Sequence, residues 1–143
     1  MQNRPIRIRL LILTVAVLAT VAPASWFIWN LRTDDHPART YWRYSSRLAQ
    51  YAERLQAGRV AIDSNGEYAI PQFLIDRGAR HVFREGTCYV ITFGFLPTDA
   101  VPELWFSPSG FDPLPKAIDE RRHRAYFQFS RLNREWAECY WDQ

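Results

Sequence analysis

Cys88-Tyr89-Val90-Ile91-Thr92-Phe93-Gly94-Phe95 (CYVITFGF) is the stretch on which the fold turns. It is apolar at nearly every position. A strand with one wet face alternates apolar and polar residues, whereas an unbroken apolar run marks a strand shielded from water. The stretch is therefore expected at the centre of a β-sheet.

Its neighbours follow on both sides. Upstream, His81 to Arg84 and a Glu85-Gly86 turn make it the second arm of a hairpin spanning Thr87 to Phe95. An earlier hairpin is expected from Val60-Ala61-Ile62 and Tyr68-Ala69-Ile70, joined through Asp63-Ser64-Asn65-Gly66, because Asn-Gly suits the positive φ angles of a tight turn. Pro71 to Ala79 reads as one short helical turn ended by Gly78. Downstream, Glu103 to Ser107 reads as a short strand. Arg124–Leu132 and Glu135–Trp141 are expected to pair across Asn133-Arg134. Leu96 to Pro115 holds five prolines, so regular structure in it should be short.

Before the first hairpin the apolar period is that of a helix. Tyr41, Tyr44, Leu48, Tyr51 and Leu55 recur at spacings of three and four, and Gly58 ends the run. Arg43, Arg47, Glu53 and Arg54 fall off this stripe. Asp34 or Asp35 can cap the helix and Pro37 suits its first turn. The fold expected is α+β: one N-terminal transmembrane helix, then a small domain with one amphipathic helix packed on an antiparallel β-sheet of five to seven strands.

The transmembrane expectation rests on Leu10 to Trp29, 20 residues without a formal charge. As a helix they would span roughly 30 Å, about the hydrocarbon thickness of a bilayer. Arg4, Arg7 and Arg9 precede the run, which orients the N-terminus inward and the rest outward. Trp26 and Trp29 stand at the outer end, where indole rings favour the headgroup layer. Ala22-Pro23-Ala24 also matches a signal-peptidase site, and secretion after cleavage there is the alternative. However, no polar region separates this site from the apolar run, which resumes at Trp26. The expected organisation is a cytoplasmic basic tail at 1–9, a membrane segment at 10–29, a linker at 30–37 and an extracytoplasmic domain at 38–143.

The protein has a net charge of +3, but the excess is confined to the tail. From Leu31 onward, 14 Arg and one Lys stand against 15 acidic residues. Bulk charge therefore excludes a nucleic-acid partner for the domain. The partners expected are the lipid bilayer, through residues 10–29, and a protein of the envelope.

Chemistry-bearing motifs are sparse. Cys88 and Cys139 are the only cysteines, and an even count in an exported domain favours a disulfide. That bridge would close a loop of about 50 residues, worth roughly 4 kcal/mol on the chain-entropy model. His36, His81 and His123 are isolated, so no metal site is expected. There is no nucleophile elbow and no phosphate-binding Gly-rich loop, so no catalytic residue and no cofactor is expected. Arg121-Arg122-His123-Arg124 reads either as a solvated turn or as a contact for lipid phosphates. Trp105 and Phe111, in the proline-rich stretch, are expected to be exposed and to touch a partner.

These features suggest a non-enzymatic, membrane-anchored interaction or accessory module of the cell envelope. A small exported hydrolase or ligand-binding enzyme is the alternative. A pilin-like subunit shares the order of apolar helix, amphipathic helix and sheet. The Gly before the apolar run and the Glu inside it that mark pilin processing are missing here.

Overall fold

A computed structural model of the protein describes residues 19–24, 37–94, 100–124 and 126–142. The chain divides into two units, Met1–Thr33 and Asp34–Gln143. In the first, residues 19–24 are helical and exposed. The remainder of the expected membrane segment, with Trp26 and Trp29, the basic tail and the linker up to His36 lie outside the described residues. Among the described residues no helix is long and apolar enough to cross a membrane.

The second unit begins with helix α1, Pro37–Gln56. Tyr41, Leu48, Tyr51, Ala52 and Leu55 are its buried apolar side chains, as the spacing of three and four requires. Tyr44 is half-buried, and its backbone leaves helical values (φ −122°, ψ 24°). The kink falls just before Ser45-Ser46, a pair whose hydroxyls compete for helical backbone groups. Gly58 (φ 65°) ends the helix. Its N–H donates to Leu55 O and that of Arg59 to Arg54 O, which satisfies carbonyls the helix end would leave orphaned.

A one-turn helix, α2 (Gln72–Ile75), precedes the sheet strands β1 (Ala79–Glu85), β2 (Cys88–Phe93) and β3 (Ala100–Phe106). Helix α3 (Lys116–Arg121) follows, then β4 (Phe127–Arg131) and β5 (Trp136–Asp142). All neighbouring pairs are antiparallel, in the order β1-β2-β3-β5-β4. The fold is α+β with a five-stranded antiparallel sheet. The expected first hairpin is reduced to a single bridge, Ile62 to Tyr68. Backbone bonds from Asp63 N–H to Glu67 O and from Ala69 N–H to Ala61 O flank the bridge, and the Asp63 carboxylate closes the turn by accepting from the N–H groups of Asn65 and Glu67.

β2 is an interior strand between β1 and β3, as its apolar run implies, and the middle strand, β3, extends the short strand expected from Glu103 back to Ala100. All seven of its residues are buried. Pro102 is accommodated because the ladder to β2 stops at Glu103, while the ladder to β5 runs on through Pro102 to Ala100. A residue without an N–H fits where one side of the strand is unpaired.

The sheet is covered on both faces. On one, α1 packs over Ile91, Phe93, Leu104, Phe106 and Trp136. On the other, the segment from Ser107 through α3 lays Phe111 and Ile118 on Cys88, Val90, Trp105, Ala137 and Cys139. Val90, Phe127 and Phe129 belong to this second face and Ile91 and Phe93 to the first, since alternate side chains of a strand point to opposite sides. Polar contacts tie α1 down, among them Ala38 N–H donating to Glu138 Oε2 (3.2 Å). Tyr51 donates to Ala69 O (2.8 Å), Asn133 Nδ2 donates to the Tyr41 hydroxyl (2.6 Å) and Tyr89 donates to Leu55 O (3.3 Å).

Candidate interaction surface

The outward side of α1 is where the domain departs from an ordinary solvated surface. Arg39, Arg43 and Arg47 follow one another at spacings of four, and no acidic residue lies between Pro37 and Arg47. Like charges four apart on a helix destabilise it by about 0.2–0.5 kcal/mol per pair. Part of that cost is offset locally. The guanidinium groups of Arg43, Arg47 and Arg77 lie 5.9, 5.8 and 5.5 Å from the centre of the Tyr44 ring. Tyr44 in turn meets Phe73 of α2 at 5.4 Å, with Arg47 also over the Phe73 ring. The kink at Tyr44 thus gathers three cations around one aromatic pair.

Trp42 stands beside this group and is 65% exposed, held edge-on against Tyr41 at 4.9 Å. A shallow hollow of about 390 Å³ lies between Arg39, Thr40, Trp42, Arg43 and Arg77. A second of the same volume runs past Arg47 and Arg54 to Gln72 and Phe73. The domain's zero net charge therefore conceals one basic, aromatic face. The spacing of Arg39, Arg43 and Arg47 was its signal in the sequence, overlooked because charges off an apolar stripe read as solvated.

The residues expected to meet a partner are elsewhere. Trp105 is 0% and Phe111 1% exposed, so neither presents a contact surface. Trp105 lies near the C-terminal end of β3, the middle strand of the sheet. The loop carrying Phe111 is not a flap but the second cover of the sheet. Gly110 takes φ 84°, and a Cβ there would come within 3.1 Å of Arg134 O, so only glycine turns the chain this closely. Ser107 Oγ donates to Gly110 O, Arg131 donates to Phe111 O, and the Phe111 ring meets Phe129 at 5.7 Å.

The expected disulfide is also absent: Cys88 and Cys139 are buried free thiols. Cys88 is on β2 and Cys139 on β5, with β3 between them. Two strand spacings make roughly 10 Å, beyond the Cα separation of about 7 Å that a disulfide spans. Burial raises both thiols above the ordinary range, Cys139 to about 12 with a further contribution from Glu103. Neither carries a reactive thiolate at neutral pH.

The basic cluster after Glu120 is largely spent internally. Arg121 turns inward and donates to Glu103 (2.7 Å) and Glu85 (2.6 Å), with its guanidinium over the rings of Trp105 (5.0 Å) and Trp141 (4.6 Å). Arg122 pairs with Asp119 at 2.8 Å. Glu103 is 1% exposed and also accepts from Trp105 Nε1 at 2.7 Å. Burial raises its carboxyl pKa, against the opposing pull of Arg121 and the Trp105 hydrogen bond. This is an ion-paired core that holds α3 on the sheet.

His81 Nδ1 lies 2.9 Å from Glu67 Oε2, both largely in solvent. Among the described residues no three of His, Cys, Asp and Glu converge as a metal-binding set. The chain matches no known family model, no curated protein and no solved structure.

Proposed function

We propose that the protein is a single-pass, membrane-anchored accessory module of the cell envelope, acting by contact rather than catalysis, with its C-terminal domain outside the cytoplasmic membrane. Its carrying observation is the exposed Trp42 within the Arg39, Arg43 and Arg77 hollow. Trp and Arg are among the side chains most enriched at binding hot spots, and the Trp42 indole, though it meets Tyr41 at one edge, leaves most of its surface exposed among cations. Export is supported by the uncharged run Leu10 to Trp29 behind three Arg.

A reporter enzyme active only outside the cytoplasm, fused after Gln143, tests the topology. Activity is expected, together with an intact mass that retains residues 1–24. A reporter that works only inside the cytoplasm overturns export, and a mature N-terminus at Ser25 overturns anchoring.

A further inference from the structure

We infer that the basic, aromatic face of α1 and α2 docks on anionic phospholipid headgroups, so that the domain lies against the bilayer that anchors it. The inference rests on the anchored topology just proposed and assigns that face its partner.

Charge and chemistry agree on this occupant. Arg39, Arg43, Arg47 and Arg77 are gathered on one side of a domain whose cations and acids sum to zero, so the excess of acidic residues lies elsewhere on it. Each cation near an anionic membrane surface favours the bound state roughly fivefold. Trp42 adds the side chain that settles at the headgroup layer, with an apolar ring body and a polar N–H.

Chain length makes the contact accessible. Residues 30–36 join Trp29 to Pro37, and fully extended they reach roughly 28 Å. With Leu10 to Trp29 in the bilayer, that reach is an upper bound on how far Pro37 can stand from the end of the membrane segment. The local concentration of the face at the membrane is then high, and weak individual attractions suffice.

The experiment uses the full chain in nanodiscs of phosphatidylcholine alone or with added phosphatidylglycerol, each with lipids brominated near the headgroup end of the acyl chains. Differences between wild type and Trp42→Phe isolate the Trp42 emission. A Trp26→Phe/Trp29→Phe variant isolates that of the anchor. Quenching of Trp42 is expected in the anionic discs at low salt, with recovery at high salt. Replacing Arg39, Arg43 and Arg47 by Gln should lower the docked fraction, with the ratio of docked to undocked falling about a hundredfold. If Trp26 and Trp29 are quenched but Trp42 is not in anionic discs, the lipid assignment is overturned and the anchor stands. If Trp26 and Trp29 are also unquenched, the anchored reading itself fails. Trp42 quenching that is equal in both lipids and unaffected by the Arg replacements overturns the electrostatic basis.

Discussion

Removing the guanidinium of Arg121 should expose how far the second face of the sheet depends on one ion pair. Arg121→Met keeps most of the aliphatic volume but strips Glu103 of its cation. Glu103 is almost fully buried, and its remaining partner in the contacts described is the Trp105 indole. Breaking a buried pair by removing one member costs about 3–5 kcal/mol, because the other charge is left uncompensated. The loss should depend on pH, and its sign follows from linkage. Burial already raises the Glu103 pKa in the folded state, and removing Arg121 takes away the largest opposing influence. Between the unfolded and the raised folded pKa the folded state binds more protons than the unfolded, so stability falls as pH rises through that window. Arg121→Met should therefore be most damaged at pH above the raised folded-state pKa of Glu103 and recover as pH falls through it, where the buried carboxyl becomes neutral. Thermal unfolding in mild detergent, followed by near-ultraviolet circular dichroism across this range, reads the effect. Adding Glu103→Gln should restore part of the stability at high pH and flatten the pH profile. A loss under about 1 kcal/mol, unchanged with pH, would class Arg121 as an ordinary surface cation and refute the buried-pair reasoning.

Phe111→Ala should cost about 3–5 kcal/mol in denaturant unfolding, the range for emptying a buried aromatic site; a nearly unchanged midpoint would mean the loop does not cover the sheet. Both thiols should resist alkylation in the native protein and react on denaturation, and non-reducing peptide maps should contain no Cys88–Cys139 peptide; a bridged peptide would contradict the strand order. Asn133→Ala should destabilise by about 1–3 kcal/mol, since its amide both closes the β4–β5 turn and donates to Tyr41; a change of a few tenths would show that water replaces it.

Local pattern was enough for several elements. The helical stripe from Tyr41 to Leu55, the stop at Gly58, the hairpin through Gly86 and the pairing across Asn133 all follow from periodicity and turn chemistry, which act between residues near in sequence. What pattern could not assign was anything dependent on which strands become neighbours. That β3 separates β2 from β5 keeps Cys88 and Cys139 apart. Five prolines left room only for a short strand from Glu103, yet β3 begins at Ala100 and tolerates Pro102 because its ladder to β2 stops at Glu103. Phe111, flanked by turn residues, is buried because a two-faced apolar sheet needs a second cover. Arg121 left the basic cluster for the interior because Glu85 and Glu103, 36 and 18 residues away in sequence, converge on it. The sequence by itself determined the α+β class, the amphipathic helix and the uncharged N-terminal run. Only the tertiary structure decided which aromatics are spent in packing and which, like Trp42, are left facing out, because burial is set by contacts between elements distant in the chain.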